Sequence, residues 1–149
     1  MINKQDVYTL FLNKLNERIN LFQSNMDDLS QSIMNETKST AGDKHETALA
    51  ILQREQSHIA NHLQQALAQK KLLMQLALQQ QGAWITRGSL VKTNRGHFYI
   101  SVAMPKVVVE TITVLGISSE SPLGMLLIGK KAGEQITVNG QVHFIEAIF

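Results

Sequence analysis

A chain of 149 residues, 44% apolar and 17% charged, has room for one or two small globular domains and is too apolar to stay disordered. Without cysteine it can build no disulfide, thiol nucleophile or thiolate metal site. No apolar run approaches the roughly 18 residues of a membrane span, and Met1–Asp6 lacks the basic-then-apolar opening of a secretory signal. The chain is therefore expected to be cytoplasmic, with no membrane partner. The formal charge of +2 forms no basic module: residues 1–81 carry eight Lys/Arg against eight Asp/Glu, and residues 82–149 six against four. A protein partner is expected ahead of bare DNA.

In chain order, Val7, Phe11, Leu15, Ile19, Phe22, Met26, Leu29 and Ile33 recur at steps of three and four, one stripe of a helix of about 30 residues. A second stripe follows at Leu52, Ile59, Leu63, Ala66, Leu73 and Ala77, interrupted by Glu55 and Lys70. Between them, residues 35–43 are small and polar and hold the only glycine of this half, Gly42. Two antiparallel helices joined at that tip, each burying its stripe on the other, satisfy the pattern. Eight of the nine glycines lie from Gly82 onward and twelve of the fourteen glutamines at or before Gln81, which places a domain boundary between 81 and 82.

The second half has strand grammar. Trp84 to Thr93 and Gly96 to Ala103 flank a turn at Asn94-Arg95-Gly96, and Lys106 to Leu115, with Val107-Val108-Val109 and then Ile112, Val114 and Leu115, is a strongly β-branched run. Ile136-Thr137-Val138 and Val142 to Ile145 flank Asn139-Gly140, the strongest hairpin signal in the chain. Between them, Ser121 at a cap, Pro122 at a first helical position and Gly129 just past the end describe one or two helical turns. The fold class expected is α+β.

Several side chains invite chemistry and also have a plainer reading. Asp43 and Glu46, three apart, suit a capping box that opens the second helix; the same spacing would put two hard oxygen ligands on one helix face. Lys38 and Lys44 flank that pair, either as solvated tip residues or as contacts for RNA or an acidic wall. His58 and His62 lie four apart, but no third ligand is evident and a solvated helix face is expected. His45 reads as an exposed loop residue, and Arg54, Lys70 and Lys71 as a solvated face.

Two stretches resemble the Gre family of bacterial transcript-cleavage factors. Gly42-Asp43-Lys44-His45-Glu46 is similar to the tip of the family's coiled-coil hairpin, and Ser121-Pro122-Leu123-Gly124-Met125-Leu126-Leu127-Ile128-Gly129-Lys130 to the Ser-Pro-hydrophobic stretch ending in Leu-Ile-Gly-Lys. The resemblance implies an antiparallel coiled-coil hairpin over 1–81 and a small FK506-binding-protein-like domain over 82–149. It also implies a partner, a backtracked bacterial RNA polymerase whose secondary channel receives the hairpin. Asp43 and Glu46 would help the polymerase's active site hold a Mg²⁺ ion and position the water that cuts the nascent RNA 3′ end. Ser121, Pro122, Leu123 and Met125 would contact the channel rim.

The protein would then be a monomer and no enzyme itself, with no cofactor of its own and no metal in its free state. The departures from the family pattern mark a divergent, short branch. Lys44 stands where the family has leucine, Thr47-Ala48-Leu49-Ala50 lacks the usual aromatic residue, and Gly124-Met125 replaces an arginine. Three other outcomes compete: a channel-binding regulator that stimulates no cleavage, a prolyl isomerase, and a structural coiled-coil dimer.

Overall fold

The computed structural model describes residues 2–38, 43–76 and 82–149; the side chains of Asp43, Lys44 and His45 are also outside what is described. Helices α1 (Lys4–Thr37) and α2 (Asp43–Leu76) are followed by strands β1 (Leu90–Thr93), β2 (Gly96–Ser101), β3 (Met104–Val109) and β4 (Ile112–Ser118), a short helix α3 (Pro122–Leu127), and strands β5 (Gln135–Val138) and β6 (Gln141–Ile148). The fold is α+β: a long helical hairpin and then a six-stranded sheet. The chain divides into two compact units, Lys14–Lys70 and Met1–Asn13 with Lys71–Phe149. The beginning of α1 and the end of α2 thus belong with the sheet. The compositional boundary at 81–82 borders residues 77–81, which lie outside those described, as does Ala77 of the second stripe.

Within Lys14–Lys70 the two helices run antiparallel. Arg18 Nη1 donates to Gln69 Oε1 at 3.3 Å, and the rings of Phe22 and His62 stack at 5.6 Å and 20°, so advancing along α1 means retreating along α2. The first stripe is real but graded: Leu15, Ile19 and Leu29 are buried, whereas Phe22, Met26 and Ile33 are half-buried. On α2, Ala66 is buried and Leu52, Ile59 and Leu63 are half-buried. A helix with a single neighbour can hide only one narrow stripe.

The sheet has the order β3-β4-β2-β1-β6-β5, antiparallel except for β2 beside β4. Strand β3 sits at the edge and β4 runs back between it and β2, so the short link Val102-Ala103 must cross β4. Gly116 lies at that crossing. A Cβ there would come within 2.5 Å of the Val102 carbonyl oxygen and of the Phe11 ring, and within 2.7 Å of Met104 Cβ.

Strand pairing assigns every side chain to one of two faces. Leu90, Tyr99, Gly116 and Met104 are register partners on the first face, where Phe11 of α1 meets Tyr99 edge-on at 5.1 Å. Lys4 Nζ also reaches the carbonyl oxygen of Phe149 at 3.4 Å, and burial lowers its pKa. The second face carries the other core cluster: Val91, Phe98, Ile100, Ile117, Ile136 and Ile145 with Ile85 and Leu127.

Two strand expectations change. The run from Lys106 to Leu115 is a hairpin rather than one strand, turning at Glu110-Thr111 with Glu110 at φ 57°. Of the run from Trp84 to Thr93, only Leu90–Thr93 is strand. Ile85 is drawn instead into backbone bonds with Gly129 and Lys130, each 2.8 Å, and Thr86–Ser89 turns through Gly88 at φ 92°. Asn139 and Gly140 take φ 50° and 77°, the left-handed pair that a tight hairpin turn requires.

Candidate functional site

The tip residues can be placed only in part. Thr37 ends α1, Lys38 follows it and is exposed, and Ser39 to Gly42 lie outside the described residues. Asp43 opens α2, so positions 43 and 46 fall in its first turn, three apart and on one face. The Glu46 side chain is exposed; those of Asp43 and Lys44 are outside the described set. His62 stacks on Phe22 beside Arg18, Gln65 and Gln69, in a dent of about 210 Å³. Among the described residues no group of three or more His, Asp or Glu is arranged to hold a metal ion.

The Ser121–Pro122 corner is defined in full. Ser121 is the N-cap of α3: its Oγ accepts from Gly124 N at 3.0 Å and donates to Ser118 O at 2.7 Å. Ser118 Oγ in turn accepts from Glu120 N at 3.1 Å. Pro122 fits the next position because its missing N–H would have no helical partner there. A Cβ on Gly124 would collide with the Ser118 carbonyl, so the corner is closed around that glycine. Leu123 is half-buried on the second-face core, Leu127 is wholly buried, and Met125 is 64% exposed. Of the four residues expected at a partner's rim, Leu123 mainly serves the core and Met125 mainly faces out. Met125 and Ile128 line an open groove of about 570 Å³ with Thr86, Arg87 and Ser119. Trp84, also exposed, lies under Lys131 Nζ at 4.0 Å from the ring centroid.

One constellation was not visible in the sequence. On the second face of the sheet, away from Phe11, lies a cleft of about 520 Å³ whose lining includes Arg95, Phe98, Lys106, Leu115, Leu123 and His143. Arg95 comes from the β1–β2 turn, Lys106 from β3 and His143 from β6, positions far apart in the chain that only strand order brings together. His143 is 6% exposed and packs edge-on to Phe98 at 5.7 Å, with its Nδ1 buried and unbonded. Burial lowers its pKa, and the Arg95 guanidinium adds to the effect. The β6 alternation of buried and exposed residues could have flagged His143 as inward-facing; nothing local could have paired it with Lys106. Of the aromatic residues of the sheet half, Phe98 is the one in this lining.

Among comparisons with known proteins, no family model matches the chain, and no curated protein matches it significantly.

Proposed function

We propose that this protein is a Gre-type transcription elongation factor of the cytoplasm. It binds bacterial RNA polymerase, inserts its hairpin tip into the secondary channel and stimulates cleavage of backtracked RNA by the polymerase's own Mg²⁺-dependent active site. The observation that carries the reading is a pair of 34-residue helices, antiparallel between Lys14 and Lys70, the second of which has two acidic positions, 43 and 46, on one face of its first turn. A hairpin with a single buried seam contributes reach, and carboxylates at its end are hard ligands suited to a second Mg²⁺. The Ser121–Pro122 corner, with Met125 exposed beside it, supports a separate docking point on the sheet domain.

A second reading keeps the partner and removes the cleavage. It is favoured by the tip's own residues, Lys44 beside Asp43 and no aromatic residue after Glu46. Purified backtracked elongation complexes decide between the two. Faster RNA release with the wild-type protein, abolished by Asp43→Ala and by Glu46→Ala without loss of polymerase binding, is expected. Binding without faster release would establish the channel-occupying regulator, and absence of binding would remove both readings.

A further inference from the structure

The second-face cleft has no task in that proposal, and its chemistry points elsewhere. Its lining is mixed: Phe98, Leu115, Leu123 and Val138 are apolar, Asn139, Gln141 and His143 are polar, and two cations come from separate elements, Arg95 from the β1–β2 turn and Lys106 from β3. None of the residues lining it is acidic. Among the described residues Lys106 has no ion-pair partner. Arg95 Nε donates to Val142 O at 2.7 Å, which anchors the guanidinium in the lining, and among the described residues its other N–H donors have no partner. Elsewhere on the same sheet Lys92 does pair with a carboxylate, Glu146, at 3.5 Å. A second opening of about 320 Å³ continues past Arg95 and Lys106 to His97.

His143 adds a donor. Its Nδ1 is buried without a partner, so keeping the imidazole proton on Nε2 avoids stranding an N–H donor in the interior. Burial and Arg95 favour the neutral ring, which can donate a hydrogen bond without adding a third positive charge. Apolar surface beside a few convergent polar groups, in a volume of a few hundred Å³, suits a small molecule that has both an apolar and a polar part. An Arg–Lys pair in a lining without a described acidic residue is suited to oxyanions.

We propose that this cleft binds a small organic oxyanion, a carboxylate or phosphate group joined to a compact apolar body. Arg95 and Lys106 hold the anion, His143 donates to it, and the body rests on Phe98, Leu115 and Leu123. The site is on the sheet domain and does not depend on any action at the polymerase.

The test titrates the full-length protein with benzoate, phenyl phosphate, inorganic phosphate and benzyl alcohol, followed by calorimetry and by amide chemical shifts. Saturable binding of benzoate or phenyl phosphate is expected, with shifts centred on residues 95, 98, 106, 115 and 143, and whichever of the two binds tighter identifies the head group. Lys106→Gln lies on an exposed edge-strand position and should weaken binding roughly tenfold, as loss of one charge-assisted contact would. His143→Phe retains an aromatic ring against Phe98, removes the donor and should weaken binding by a smaller factor. The proposal is overturned by benzyl alcohol binding as well as the anions, by inorganic phosphate binding as well as phenyl phosphate, or by affinities that Lys106→Gln leaves unchanged. An absence of saturable binding up to about 10 mM, beyond the weak end of specific affinity, would overturn it equally.

Discussion

The sheet unit and the hairpin unit use the same kinds of apolar residue to opposite ends. In the sheet unit, two core layers lie on either side of one sheet, and the backbone crosses itself so closely at Gly116 that no side chain fits. In the hairpin between Asn20 and Gln65, Leu29 is the one buried residue among those described; the rest of the seam is half-buried. A layer enclosed on both sides stabilises through packing, whereas a lone helix pair has only a strip to hide. Substitutions in the sheet unit should therefore be felt as stability, and those near the end of the hairpin as activity.

The largest effect is expected from Phe11→Ala, which removes the ring lying against Tyr99 and over Gly116. Deleting a fully buried phenylalanine costs about 3–5 kcal/mol, read from the urea midpoint of unfolding. Next come Gly116→Ala and Gly124→Ala, which push a methyl group into Val102 O and the Phe11 ring, or into the Ser118 carbonyl. Overpacking against backbone costs about 1–3 kcal/mol. Leu52→Ala on the half-buried seam should cost less than any of these. If it costs as much as Phe11→Ala, the contrast between the two regions is wrong.

The two faces of the sheet should also part with pH. Tyr99, buried beneath Phe11, has its pKa raised to about 12, chiefly by desolvation with a smaller contribution from Tyr8. Its folded state holds the proton more tightly than the unfolded chain, whose value is about 10. That stability is complete below pH 10 or so and is lost as pH rises toward the folded value. His143 on the other face has a lowered pKa. The unfolded chain takes up its proton first, near pH 6.5, so this contribution is complete above that value and declines on acidification. Tyr99→Phe should flatten the alkaline limb of a stability–pH curve, and His143→Phe should shallow the acid limb, to which His97, also lowered mainly by burial, contributes in the same sense.

What the sequence disclosed, and what it did not, follows the range of the interactions. The helices were legible because a stripe such as Leu15–Ile19–Leu29 repeats with the helix's own period. Asn139-Gly140 and Ser121-Pro122 were legible because turn and cap chemistry lies within four residues. The turn at Glu110-Thr111 was hidden because no glycine, asparagine or proline marks it, and glutamate seldom takes positive φ. The crossing at Gly116 and the convergence of Arg95, Lys106 and His143 are products of strand order, in particular of β4 entering between β3 and β2. No local pattern encodes that. At the tip, the acidic pair was read from spacing and family likeness alone.

The smallest expected effect on stability belongs to Glu46→Gln, and it bears most directly on the hairpin. Glu46 is exposed in the first turn of α2, where a carboxylate interacts favourably with the helix dipole by roughly 0.3–1 kcal/mol. Glutamine keeps the length and hydrogen-bonding reach of the side chain, and it serves as well as glutamate at the third position of a capping box. A purely structural Glu46 would therefore tolerate the change, with both the unfolding midpoint and any effect on the polymerase close to wild type. A carboxylate needed as a hard, anionic oxygen ligand would not, because a neutral amide oxygen lacks the charge that draws Mg²⁺. The expected outcome is a protein as stable as wild type to within about 1 kcal/mol that binds the elongation complex yet no longer accelerates RNA release. Lost binding together with lost stability would instead make the tip part of the scaffold and dissolve the division between the two regions.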